Sequence, residues 1–123
     1  MDTHTIIWFL NGDNKLSEKS KKIIENQDHT KFVSIATIWE IAIKTSLNKF
    51  KFDKGFKKFL HLIEDNGFEI IPISVEHALT VSTLNFIHRD PFDRLIVSKA
   101  LSDNLTIITK DEYIEKYDVR TIW

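Results

Sequence analysis

The sequence predicts an α/β domain built on a mainly parallel sheet with helices on both faces. Three observations carry that reading. Short apolar runs bounded by turn residues alternate with longer stretches whose apolar residues recur at helical spacing. The two prolines and three glycines fall where turns or helix ends are expected, and no repeat, linker or low-complexity tract interrupts the 123 residues. Hydrophobic residues make up 42% and charged residues 28%, a globular balance in a chain long enough to bury a core.

Each element follows from a local signal. Residues 4–10 (HTIIWFL) form an apolar run closed by Asn11-Gly12-Asp13, which predicts a short helix ended by a turn. Ser17 is placed to cap a helix over 18–27, with Ile23 and Ile24 on its buried side. Phe32-Val33-Ser34 reads as a short buried strand, and 36–47 as a strongly apolar helix. Phe56, Phe59, Leu60 and Ile63 mark a helix over 54–66 that Gly67 ends. A strand over 68–73 precedes a helix capped by Ser74 and running to about Leu84. Pro91 suits the first position of a helix reaching Asn104. A strand over 105–109, a short helix capped by Asp111 and a last strand over 120–123 complete the alternation.

Right-handed crossovers place the carboxyl ends of parallel strands and the helix starts on one edge of the sheet. Ligands of open α/β sheets bind there, so acids at that edge are the candidates. Glu40 is the most informative, because Ile38, Trp39, Ile41, Ala42 and Ile43 leave its helix almost no polar face. A buried carboxylate needs a partner: a metal ion, or equally well an ion pair with Lys44 one helical turn on. Asp90 at the N-cap, Pro91 at N1 and Asp93 at N3 are explained by capping, although one acid would suffice. Asp111 and Asp2 are each explained as caps when taken singly. Taken together, four segments deliver carboxylates to one edge, where mutual repulsion favours a hard divalent cation such as Mg²⁺ or Mn²⁺. Such a site suits phosphate-ester hydrolysis.

Composition removes other classes. There is no cysteine, so neither a disulfide framework nor thiolate chemistry is available. The apolar runs are too short to span a bilayer and the N-terminus lacks a secretion signal, so a cytoplasmic protein is expected. Seventeen basic against eighteen acidic residues give a net charge of -1, which does not advertise nucleic-acid binding. The five histidines show no H-x-x-x-H pair, and His77 and His88 read as structural or surface groups. Neither a phosphate loop nor a G-x-S-x-G serine is present. Trp8, Trp39 and Trp123 read as core or interface. Lys44, Lys49, Arg89, Arg94 and Lys110 are explained as well by solvated surface charge as by guidance of phosphate.

Four stretches in order resemble the PIN-domain ribonucleases, in their VapC-like toxin branch. They are Asp2-Thr3-His4-Thr5 with Trp8, Ser34 through Trp39-Glu40-Ile41-Ala42, His88-Arg89-Asp90-Pro91-Phe92-Asp93-Arg94-Leu95-Ile96, and Leu105 through Thr109-Lys110-Asp111. The resemblance implies a single PIN-like domain over residues 1–123, of three-layer α/β/α form. It further implies Mg²⁺- or Mn²⁺-dependent endonucleolytic cleavage of RNA, commonly tRNA or other translation-related RNA. Asp2, Glu40, Asp93 and Asp111 would be catalytic and hold the metal, with Asp90 and Thr109 assisting. A cognate antitoxin protein and a homodimer would be its partners. Members of the family carry several residues before the first aspartate, forming a central strand. Here Met1 directly precedes Asp2, so that first strand is expected to be truncated; a start downstream of the natural one is favoured over a shortened, inactive copy. The alternative function is a catalytically silent PIN-fold binding module. Asp2-Thr3-His4-Thr5 also echoes the D-x-D-x-T of haloacid-dehalogenase-like phosphatases, but histidine stands where their second acid belongs. A receiver domain fails because Ile73-Ser74 occupies the place of its aspartate.

Overall fold

The computed structural model describes residues 1–53 and 55–123. Its elements are α1 (Thr3–Asn11), α2 (Glu18–Glu25), β1 (Lys31–Ser34), α3 (Ile35–Ser46), α4 (Gly55–Asp65), β2 (Phe68–Ile71), α5 (Val75–Thr83), α6 (Pro91–Ser102), β3 (Ile107–Ile108), a 3₁₀ turn (Ile114–Lys116) and β4 (Thr121–Ile122). The expected α/β alternation is therefore present, with most boundaries displaced by one to three residues. Lys54, expected to begin the fourth helix, lies outside the described residues.

The helix starts follow the capping logic of the sequence. Ser17, Ser34, Ser74 and Asp90 each accept a backbone N–H of the first turn of the helix that follows. At Ser74 the arrangement is reciprocal, with His77 Nδ1 accepting the Ser74 N–H at 2.9 Å. The helix ends explain where the expected spans run too long. α6 stops at Ser102 because Asn104 adopts the left-handed conformation, φ 55°. This lets the Leu105 N–H bond back to Ala100 O at 2.8 Å, a closing turn usually made by glycine. α1 ends at Gly12, whose φ of 64° most side chains resist.

The sheet is parallel, as expected, and falls into two parts. β1 pairs in parallel with β2 (Lys31 opposite Phe68 through Ser34 opposite Ile71), and β3 pairs in parallel with β4 (Ile107 opposite Thr121, Ile108 opposite Ile122). These form two separate two-stranded sheets. Between them runs a cavity of about 450 Å³, lined by Thr30, Lys31 and Phe32 on one side and Thr106, Ile107 and Ile108 on the other. The first two residues bridge it: Met1 N donates to Phe32 O at 3.2 Å and Asp2 N to Ile108 O at 3.3 Å. A strand pairs along its length only where a neighbour supplies partners. The expected 105–109 strand accordingly shrinks to the two residues that meet β4.

Each half has its own apolar core. Ile6, Ile24, Val33, Ile41, Phe59, Ile63 and Phe68 cluster beside β1 and β2. Ile96, Val97, Ala100, Ile107, Ile114 and Tyr117 cluster beside β3. Phe59 is fully buried, and its ring meets those of Phe50, Phe52 and Phe56. No described helix is long and apolar enough to cross a membrane.

The open edges of β1 and β3 predict that the cavity accepts a strand. Five β-branched residues fused ahead of Met1 should raise Tm above that of a Gly/Ser extension of equal length. Equal melting of the two fusions would sink this expectation.

Candidate active site

Asp2 is buried and serves two neighbours at once. Its Oδ1 caps α1 by accepting the Thr5 N–H at 2.7 Å, while its Oδ2 accepts the Thr109 hydroxyl. Thr109 is fully buried, and its Oγ1 also accepts the Asp111 N–H at 2.9 Å. One hydroxyl therefore joins Asp2 to Asp111, the first and the last of the four candidate acids.

Glu40 is also buried, on the first half of α3. Its Oε1 pairs with Lys44 and its Oε2 accepts the Thr3 hydroxyl at 2.5 Å. The ion pair weighed for Glu40 from the sequence thus forms, and the carboxylate is satisfied without any further partner. Lys44 is correspondingly engaged at Glu40, whereas Lys49, Arg89 and Lys110 are exposed.

At the start of α6 the division of labour between the two aspartates is clear. Asp90 Oδ1 accepts the N–H groups of Phe92 (2.8 Å) and Asp93 (3.3 Å), so Asp90 performs the capping. Asp93 is freed from that task. Its Oδ2 lies 3.3 Å from His88 Nε2, which hydrogen-bonds Asp111 Oδ2 at 3.2 Å. Ligand-type atoms of His88, Asp93 and Asp111 all fall within 4.8 Å of one another. Asp111 is fixed from its other side, where Oδ1 accepts the N–H groups of Tyr113 at 2.7 Å and Ile114 at 3.3 Å. It caps the 3₁₀ turn, as the sequence suggested.

Two readings of basic residues need correction. His88 is neither a surface group nor remote from the acids: it stands between two of them. No spacing rule reveals this, because its partners are aspartates, Asp111 from another segment, rather than a second histidine. Arg94 is buried rather than solvated. It donates to the carbonyls of Val81, Leu84 and Asn85 at 3.0–3.2 Å, and its guanidinium lies over Phe86. It holds the chain after α5 and is not placed to meet phosphate. His77, by contrast, is the structural group expected, bonded to Ser74 and Asp103.

Electrostatics single out Asp93. Burial and the charge of Asp90 push its carboxyl up to about 7; Glu40 and Asp2 push the same way, against the opposing pull of His88. Asp111 is held low: burial works to raise it, but the Tyr113 and Ile114 amides and His88 together outweigh that effect. The structure thus brings Asp93, Asp111 and His88 into contact. Asp2 is tied to Asp111 through Thr109, and Asp2 and Glu40 both act on Asp93 through their charge. Oxygen donors around a carboxylate driven toward protonation are the donor set a hard divalent cation fits.

A split parallel fold that collects carboxylates where its strands end and its helices begin defines a class. Residues 1–120 match the sequence model of the PIN domain, and the chain belongs to that family. Among solved structures it is similar to a chain of VapBC2 from Rickettsia felis, a complex bound to a DNA fragment from its promoter. That match has a TM-score of 0.70 at 18% identity and covers 98% of this chain and 94% of the other. No curated protein sequence matches the chain.

The raised Asp93 carboxyl sets a pH dependence in metal-free protein. Its folded pKa lies above the ordinary carboxylate value of 3.8, so the folded state binds the proton more tightly. Stability contributed through this group is therefore lost as pH rises from about 4 to above 7. Asp93→Asn should raise Tm at pH 8 in the presence of a chelator, with the gain shrinking toward pH 4. A gain that stays constant across this range would refute the assignment.

Proposed function

We propose that this chain is a divalent-metal-dependent endoribonuclease and the toxin of a toxin–antitoxin pair. Its substrate class is tRNA or other translation-related RNA, and Mg²⁺ or Mn²⁺ is its cofactor. The single observation that carries the reading is Asp93, a half-buried carboxylate surrounded by other acids and freed from capping by Asp90. PIN domains are generally nucleases, and family membership supports hydrolysis of a phosphodiester over any other use of such a cluster. The likeness to a VapBC complex supports an antitoxin partner, and a homodimer in the cytoplasm is part of the same proposal.

Asp2, Glu40, Asp93 and Asp111 are the residues proposed to hold the cation, with Asp90 and Thr109 in support. A bound divalent ion would supply Lewis-acid stabilisation of the phosphoryl oxygens and a more acidic attacking water. The chain's own residues do the rest. Thr109 holds Asp2 and Asp111 in a fixed relation, and Thr3 orients Glu40 from the adjoining helix. Asp90 occupies the N–H groups at the start of α6, leaving the Asp93 carboxylate for the cation. Lys44 balances Glu40 until a cation does so. Trp39 is 60% exposed beside Glu40 and meets Phe92 edge-on, giving the site an apolar flank.

Purified protein with Mn²⁺ should nick structured RNA, and Asp93→Asn or Glu40→Gln should abolish the cleavage. Variants that cleave as well as the parent would place the activity elsewhere. In the same preparation, Mn²⁺ at about 100 times its dissociation constant should stabilise the fold by about 2.7 kcal/mol. A Tm indifferent to Mn²⁺ would favour a silent binding module.

A further inference from the structure

His88 sits among the acids in a way that looks like ligation, but its hydrogen bonds argue otherwise. The Asp90 backbone N–H points at His88 Nδ1 at 2.9 Å. A backbone amide can only donate, so Nδ1 must accept. A neutral imidazole carries a single N–H, which then resides on Nε2. A nitrogen that holds a proton has no lone pair to give a cation. Nε2 is the atom that bonds Asp111 Oδ2 at 3.2 Å and faces Asp93 Oδ2 at 3.3 Å.

The ring is held for this task from every side. The His88 backbone N–H donates to Tyr117 Oη at 2.8 Å, and Tyr117 in turn donates to Asn85 O at 3.0 Å. The Tyr113 ring meets the imidazole edge-on, with centroids 5.7 Å apart. Tyr113 also supplies one of the amides that fix Asp111. Moving the proton to Nδ1 to free Nε2 would set Asp90 N–H against an N–H, turning the ring would set it against a C–H, and either change breaks the Asp111 bond.

We propose that His88 is a positioning residue for the cation site: it donates from Nε2 to the Asp93–Asp111 pair and does not ligate. Two carboxylates from different segments, one at the start of α6 and one after β3, repel unless a cation or a hydrogen-bond donor lies between them. The Nε2–H is that donor. It holds Asp111 against Asp93 in an arrangement ready for a cation, as outer partners of metal ligands do. This inference rests on reading the acids as a metal site.

The test uses the full chain and Mn²⁺ alone. Nitrogen-15 NMR of the metal-free protein should show His88 as the Nε2–H tautomer, and the Nδ1–H tautomer would overturn the proposal. Electron spin-echo spectra of bound Mn²⁺ should lack the ¹⁴N modulation of a directly bound imidazole. Finding that modulation, and losing it in His88→Gln, would make His88 a ligand and overturn the proposal. By titration, His88→Leu should weaken Mn²⁺ binding roughly 10- to 100-fold, the range for loss of an outer partner. His88→Gln, which keeps a donor at the Nε2 position, should largely restore it. Circular dichroism confirms that both variants are folded. Equal affinity in the Leu variant and the parent, or no recovery with Gln, counts against the proposal. A parent protein that takes up no Mn²⁺ overturns the metal reading itself, and this role of His88 with it.

Discussion

The hydroxyl of Thr109 donates to Asp2 at one end of the chain and accepts the amide of Asp111 near the other. This buried three-way junction is the constraint on which the acidic edge depends. Asp2 is thereby tied to the segment that follows β3, while its Oδ1 starts α1. An apolar side chain at position 109 would leave a buried carboxylate oxygen and a backbone N–H without this partner, a cost of about 1–3 kcal/mol for each. The same residue type that fits a short buried strand also supplies the one atom able to serve both acids.

The concentration of carboxylates is costly in another sense. Burial and the charges of the neighbouring acids favour a protonated Asp93, His88 alone among the named neighbours opposes them, and one cation nearby, Lys44, is committed to Glu40. His88 stands where an offsetting charge or donor is most needed. The molecule thus meets its own electrostatic strain with fixed hydrogen bonds from Thr3, Thr109, His88 and backbone amides. These are short-range, directional solutions. They leave the group ordered but still short of positive charge, which is the condition that makes a metal-binding function the natural reading.

How much of this was visible in the sequence differs with the kind of interaction. Caps were legible because they are local: Ser17, Ser74 and Asp90 stand two or three residues from the amides they accept. The Glu40–Lys44 pair was legible for the same reason, one helical turn apart. Strand lengths were not. The 105–109 run is rich in β-branched residues, yet only Ile107 and Ile108 pair as strand, because pairing depends on what lies alongside in space. For His88 the surface alternative fails, and Arg94 is not a solvated charge. Both lie in one motif, yet what each meets includes distant segments, Asp111 for the first and Val81 among the partners of the second. The expectation of acids at one edge came from topology, whereas the division of Asp90 and Asp93 between cap and cluster followed only from atoms.

The cavity between the two half-sheets has a mechanical consequence. Glu40 is carried by the half containing β1, Asp93 and Asp111 by the half containing β3, and Asp2 by the short bridge that joins them. The acidic cluster therefore straddles a seam rather than resting on one rigid block. Its spacing depends on what crosses that seam: two backbone hydrogen bonds, the Thr109–Asp2 and Thr3–Glu40 bonds, and the packing of α3 against α6. Whatever tightens the joint also fixes the spacing of the carboxylates, so folding strength and site geometry are adjusted by the same few bonds.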